Sequence, residues 1–509
     1  MQGSSVKRAA RRIKRTWAVI AFMAAQALMP PVLHAQLPAL GDGAEMGINA
    51  ERRLGDRIAR SLYRDPDYID DPLLVEYVQD IWRRLLQGAR QRGELLPELE
   101  VAFAWEVALG RDRSVNAFAL PGGYLGVHLG LIAVVNSEDE LASVLAHELS
   151  HVTQRHIARM VGRQGAEGPW VIAAMILGAL AAGSNPQAAG AMIAGGQAVA
   201  VQGQLNFSRD MEREADRVGY GVMTQAGFEP QGFVTMFQKL QQANRFNDTG
   251  AFPYLRGHPL TTERIADMQA RQQLLPPVAP VKLTMTHALL AARARVLSNA
   301  DVDSLRAAVA EASGGAFATF PSARQAGVLY AAALAASQLR DYEQAARLQV
   351  RLQSLVQGPP AERLARLLSA ELSLAAGSPK RASELLGGGA AAPAMRSELF
   401  LWARAMTQAG QAAPVSQQLR TWVVEHPKDA QAWQLLAGAY MAQGQTLSAV
   451  RAEAEAHAAR YDYESALNRF KAAQDLARQG GKVDHIEASI IDTRTRQIES
   501  LVREQALER

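Results

Sequence analysis

An α+β, mostly helical fold in two parts follows from three observations in the 509-residue sequence. His147-Glu148-Leu149-Ser150-His151 is an H-E-x-x-H run inside a strongly signalled helix. Ahead of it, short strand-like segments are joined by the turn Leu120-Pro121-Gly122-Gly123. Beyond about residue 285 the chain turns into Ala/Leu/Gln/Arg-rich helix that repeats with a period of about 34 residues. These predict a zincin-like metal domain with a small β-sheet or hairpin, followed by an all-α superhelix of tetratricopeptide-like repeats.

The segment 1–35 is expected to be a targeting signal. Lys7, Arg8, Arg11, Arg12, Lys14 and Arg15 precede the apolar run from Trp17 to Leu28, and Leu33-His34-Ala35 ends in a small residue. That is the layout of a secretory signal peptide cut after Ala35. A nucleic-acid arm would not run straight into an apolar segment, and the run is short for a retained anchor. These six cations, with no acidic residue beside them, exceed the net charge of +4, so the chain beyond Ala35 is slightly acidic and nothing points to nucleic acid. With no cysteine, disulfides and a lipid-modified cysteine are excluded, and any zinc ligand must offer N or O. A soluble periplasmic protein of a bacterial envelope fits these features.

Residues 36–284 read as the metal domain. Glu51 to Arg64 and Pro72 to Gln87 have amphipathic helical spacing. Glu98 to Ala108 and Ser114 to Ala119 alternate like strands, and Tyr124 to Leu129 follows the turn. The resulting hairpin is expected to lead straight into the metal helix, its post-turn strand offering an edge to an extended substrate. Ser137 with Glu140 forms a capping box. Leu141, Val144, Leu145, Leu149 and Val152 recur on one face, and no Gly or Pro interrupts Ser137 to Met160. On that helix His147 and His151 lie one above the other and can hold one zinc ion from one side. Glu148 then stands near enough to take a proton from water, the core of a metal-dependent peptide hydrolase. His156, five positions past His151, points off that face, and it and His128 are read as structural.

Three downstream features bear on the site. Trp170 to Ala182 is a short apolar helix within 168–203, read as an apolar lid or plug over the site, with a membrane-touching helix as the other reading. Glu212-Arg213-Glu214-Ala215-Asp216 lies in the helical segment from Arg209 to Ala226. Glu212 and Asp216 share a face, so Glu212 can ligate while Asp216 supports the site; spacing alone fits an ordinary charged face equally well. His258 is a loop histidine before a helix.

Residues 285–509 carry the repeats. Trp433, Leu436, Ala437, Tyr440, Gly444, Ala449 and Ala456 fit the tetratricopeptide pattern. Ala345, Ala382, Val415 and Ala449 open successive second helices, about four repeats in all. Ala466, half a period later, marks a helix shared between neighbouring repeats.

H-E-x-x-H followed downstream by the E-x-x-A-D of Glu212 to Asp216 resembles peptidase family M48. Asn116-Ala117-Phe118-Ala119-Leu120-Pro121-Gly122-Gly123, the Ser208-Arg209 pair and the C-terminal repeats resemble a branch of that family tied to outer-membrane barrel assembly. The resemblance implies one zinc per chain held by His147, His151 and Glu212, with Glu148 and Asp216 as catalytic residues, Asp216 either orienting a ligand or stabilising developing charge. It implies that His258, in His258-Pro259-Leu260-Thr261, is a regulatory fourth ligand. Implied clients are unfolded or stalled outer-membrane β-barrel proteins, and the implied partner is the barrel-assembly machinery, met through the repeats. Two other readings stand beside the peptidase: a repeat-based chaperone or scaffold with a structural zinc, and a folding helper that cleaves as backup. Glu148 weighs against the scaffold, because a structural zinc has no use for a base there.

Overall fold

Helix starts carry their own signals in the first part of the chain. The computed structural model describes residues 46–163, 209–245, 251–273, 283–387, 392–479 and 485–507. The expected signal peptide (1–35), the expected lid (168–203) and Ser208 lie outside them. α1 spans Ile48–Arg64 and α2 spans Pro72–Gln91. Pro72 opens α2 at a position where its missing N–H costs nothing, and the Asp71 carboxylate accepts from Leu74 N at 3.1 Å.

The strand expected over Glu98 to Ala108 is a correction. Pro97 and the acidic Glu98 and Glu100 start a short helix, α3 (Pro97–Ala102), because a fixed φ and negative charge both favour a helix N-terminus. The alternation there is no guide to burial: Leu99 and Phe103 are buried, but Val101 between them is 88% exposed. The strand begins later, as β1 (Glu106–Gly110). With β2 (Ala117–Leu120) and β3 (Tyr124–His128) it forms a three-stranded sheet in the order β1-β3-β2. β3 pairs antiparallel with β2 and parallel with β1. It is therefore the central strand, and the expected free edge after Pro121 does not exist; β1 and β2 are the edges, and β2 is the one that packs on the metal helix. Gly122 and Gly123 take φ of 73° and 83° in the turn between them, which side chains with a Cβ resist.

A short helix, α4 (Leu129–Val134), separates β3 from the metal helix α5 (Glu138–Thr153). Ser137 Oγ accepts from Glu140 N at 3.1 Å, and the Glu140 carboxylate returns to Asn136 N at 2.7 Å. The uninterrupted run expected to Met160 is a second correction: α5 stops at Thr153 and α6 (His156–Arg163) starts afresh. Between them Arg155 sits at φ 51°, strained for a residue with a Cβ. Its guanidinium bonds Glu51 Oε2 at 3.0 Å and the Met46 carbonyl, so tertiary partners, not a Gly or Pro, make the break. α5 packs against α7 (Arg209–Gln225) and α8 (Gln231–Arg245), and α9 (Tyr254–Gly257) and α10 (Thr262–Gln273) follow.

From α11 (Met285–Ser298) onward the described residues are helical. After α12 (Val302–Glu311) come antiparallel pairs: α13 (Ser322–Gln338) with α14 (Tyr342–Leu355), α15 (Pro359–Ala375) with α16 (Pro379–Leu385), α17 (Arg396–Gln408) with α18 (Ala412–Glu425), and α19 (Ala430–Ala442) with α20 (Thr446–Ala459). Each link contains one left-handed residue: Arg340, Gly377, Gly410 and Gly444. Ala345, Ala382, Val415 and Ala449, one per second helix, are all buried. α21 (Tyr463–Gln479), which holds Ala466, packs on both α20 and α22 (His485–Leu507).

From Met46 onward the chain forms one compact unit. α11 packs on α4, and buried His287 joins Tyr77 Oη (2.7 Å) to Val135 O (2.9 Å). Arg293 on α11 pairs with Asp71, and Arg396 on α17 grips both Asp70 and Asp429.

Candidate metal centre

Two helices build the site. α5 presents His147 and His151 one turn apart, and one face of α7 carries Glu212, Asp216 and Gly219. A Cβ on Gly219 would stand 3.0 Å from Ala146 O, so the absence of a side chain lets α7 lie close against α5. That approach brings the acidic face to the histidines. His147 Nε2 and His151 Nε2 are 3.0 Å apart, and they lie 3.5 and 3.4 Å from the Glu212 carboxylate oxygens. Neighbouring corners of a tetrahedron around zinc, with bonds of about 2.0–2.1 Å, are about 3.3 Å apart, so the three groups match one small cation.

The proton arrangement supports the same fit. His147 Nδ1 faces the acceptor-only Asp216 Oδ1 at 2.9 Å, which places its proton on Nδ1 and its lone pair on Nε2. Asp216 is itself clamped by Arg264, through Nε (2.6 Å) and Nη2 (2.8 Å). Burial would raise the Asp216 pKa, but the Arg264 guanidinium holds it low. Burial likewise opposes charge on His147, and its bonds to Asp216 and Glu212 overcome this and lift its pKa to about 9. Glu212 stays below the usual carboxylate range despite its burial, because the imidazoles of His258, His147 and His151 surround it. Nε2 of both histidines and the Glu212 carboxylate converge on one buried point, where a cation would replace the proton that leaves His147 charged.

His258 closes the fourth corner. Its Nδ1 is 3.0 Å from Glu212 Oε1 and 3.2 Å from His147 Nε2, and its ring stacks on Tyr254 with centroids 4.5 Å apart. All four candidate donor atoms lie within 4.8 Å of one another, and all four residues are buried. The loop that brings His258 in is tied down by backbone bonds from Val115 N to Ala251 O (2.8 Å) and from Tyr254 N to Val115 O (3.4 Å). Glu148 lies beside this group. Its Oε2 accepts from Ala119 N on β2 at 2.8 Å, while Oε1 makes no hydrogen bond and stands 3.3 Å from His258 Nε2. Burial raises the Glu148 pKa, against the pull of His258 and His147.

The M48 peptidase family model matches residues 75–272, a span that contains every one of these groups. A β-barrel assembly-enhancing protease of Yersinia pestis is 30% identical over 424 residues, covering 82% of this chain and 83% of that one. The chain belongs to peptidase family M48. Family M48 enzymes are zinc metallopeptidases, and the buried group is where this one can hold its zinc. A putative β-barrel assembly-enhancing protease of Vibrio cholerae is 37% identical over 265 residues, and there the match spans only about half of each chain, 52%. The mitochondrial metalloendopeptidase OMA1 of Schizosaccharomyces pombe is 33% identical over 166 residues, 32% of this chain and 46% of that one.

Sequence reasoning passed over two residues of this M48 site. Arg264, 4% exposed, clamps Asp216 and places Nη1 2.7 Å from Glu212 Oε2 without hydrogen-bond alignment. Its signal was present: Arg264 follows His258 on the helix after His-Pro-Leu-Thr, and a buried pair of carboxylates needs a cation. His156, taken as structural, is no metal donor here, yet it touches His151. His128 bonds Ser114 Oγ at 3.0 Å, away from the metal group.

Proposed function

We propose that this chain is a zinc endopeptidase of the bacterial envelope that cleaves unfolded or misassembled proteins, outer-membrane β-barrel proteins above all, and aids their assembly. One observation carries the catalytic reading: Glu148 Oε1, buried and without a hydrogen-bond partner, beside a tetrahedral set of donors. Zinc bound among His147, His151 and Glu212 supplies the Lewis acidity that polarises the scissile carbonyl and acidifies a water molecule. Glu148 takes the proton from that water and returns it to the leaving amine, its other oxygen pinned by Ala119 N–H so that Oε1 alone swings to the work. Asp216, held by Arg264, fixes the ring and tautomer of His147, an orienting role that accounts better for its place than direct contact with substrate.

Substrate recognition belongs to β2. His128 N donates to Asn116 O at 3.0 Å, so alternate residues of β2 face β3, while Ala117 and Ala119 turn their backbone groups outward toward the metal group. An extended polypeptide laid along that edge is read through its backbone, which suits unfolded clients. The place of His258 in the donor group supports a closed resting state, in which it would stand where the attacking water must bind and would have to leave for the site to open.

The clients, the periplasmic location and the barrel-assembly partner rest on the relatives named for barrel assembly, which match more than four-fifths of this chain. The helix pairs beyond α11, read as tetratricopeptide-like repeats, offer the partner surface. No helix among the described residues is long and apolar enough to cross a membrane. The test is Glu148→Gln in the full chain, assayed on an unfolded protein and on an assembling β-barrel. Turnover should drop about 10²–10⁴-fold with zinc content unchanged. Unaltered cleavage would remove Glu148 as the base, and absence of cleavage by wild type would remove the peptidase.

A further inference from the structure

The break between α5 and α6 puts a side chain where a straight helix could not. On a continuous helix His156 would point about 140° around the axis from His151. The left-handed Arg155, held by buried Glu51, turns the chain instead. Nδ1 of His156 then comes to 2.8 Å from Nδ1 of His151. The far side of the ring, Nε2, lies 3.1 Å from Glu214 Oε2, and Arg159, almost a turn further along α6, holds that same oxygen at 2.9 Å. Both histidines are wholly buried.

Two facing ring nitrogens share one proton, and the partner on the far side decides which of them carries it. A carboxylate only accepts, so His156 is protonated on Nε2 and its Nδ1 is the acceptor. His151 must then donate from Nδ1, which leaves the lone pair on Nε2, the atom that faces His147 and Glu212. We infer that His156, backed by Glu214 and Arg159, is a positioning residue that sets the tautomer and ring orientation of His151 for zinc. The inference rests on the zinc-site reading above. It gives the two metal histidines different supports: an anion, Asp216, behind His147, and a neutral imidazole behind His151.

The alternative is a histidine that merely fills space, and metal affinity separates the two. The zinc dissociation constant of the full chain is measured by chelator competition for wild type, His156→Phe, His156→Asn and Glu214→Gln, and the unfolding temperature of each zinc-free form is recorded beside it. His156→Phe keeps the volume and loses the acceptor; zinc should bind about 10–100-fold more weakly, with the zinc-free unfolding temperature little changed. Asn carries an oxygen where Nδ1 stood, so His156→Asn should recover most of that affinity, and Glu214→Gln should fall between. Wild-type affinity in His156→Phe would overturn the inference, as would an Asn variant no better than Phe, or a zinc deficit matched by lost zinc-free stability. A wild-type chain that binds no zinc would overturn the metal centre itself.

Discussion

At His258 the proposed closure of the site rests on a single imidazole. Its ring sits at the fourth corner of the donor set, pressed by Tyr254 on one side and facing Glu148 on the other. Removing the ring takes away one donor and frees Glu148 Oε1, yet leaves His147, His151 and Glu212 in place. His258→Ala should therefore retain zinc, by metal analysis, and cleave an unfolded protein several-fold faster than wild type; slower cleavage with zinc retained would show that His258 assists the reaction. Residue identity was legible here to different depths. His147, Glu148 and His151 could be read from spacing on a helix, because one turn of helix is enough to bring them together. Glu212 and Asp216 looked like any charged face until the family pattern was set beside them. Arg264 left only a partial signal, a cation soon after His258, and the role of His156 could not be read, since its partners lie across helix contacts that no local pattern records.

Elements follow the same division. The capped start of α5 and the turn after β2 could be read directly, because Ser137, Pro121 and the two glycines act on their own backbone. The end of α5 could not: Arg155 is an ordinary helix former, and its left-handed backbone is held by Glu51 and the Met46 carbonyl, more than a hundred residues earlier. β1 beside β3 was equally invisible, since parallel pairing is set by where α3 releases the chain. The turn also depends on a contact across elements. A Cβ on Gly55 of α1 would stand 1.9 Å from Pro121 O, so α1 touches the turn that shapes the β2 edge. Gly55→Ala must push α1 or the turn aside, at a cost of about 1–3 kcal/mol in urea unfolding, together with weaker cleavage. Unchanged stability would mean that α1 yields freely there.

Over the whole molecule, the C-terminal helical region and the peptidase part are joined by buried or half-buried charges. Arg396 bonds Asp70 at 2.6 and 2.8 Å and Asp429 at 2.9 Å, and Trp422 donates to Asp429 at 3.0 Å. Burial would raise the Asp429 pKa, and the Arg396 bonds overcome it, so the folded value lies below the unfolded one. Such a group stabilises the fold fully above its unfolded pKa of about 3.9 and loses that contribution as pH falls through the folded value. Asp429→Asn should cost about 1–3 kcal/mol at pH 7, with the wild-type and variant stabilities converging toward pH 3 in a denaturant series. Parallel curves would exclude this carboxylate as the source. Whether the C-terminal helices rest on the peptidase or swing free is a question the sequence leaves open, because Asp70 and Arg396 are ordinary surface residues until the two parts meet.

Alone, the order of residues determined the helical character, the capped metal helix and its paired imidazoles, since all of these depend on neighbours within a turn or two. Tertiary structure decided which strand lies at the edge, where the metal helix ends, what stands behind each imidazole and that His258 reaches the fourth corner. Those outcomes depend on groups far apart in the chain, and only packing brings their charges and lone pairs within a few ångströms.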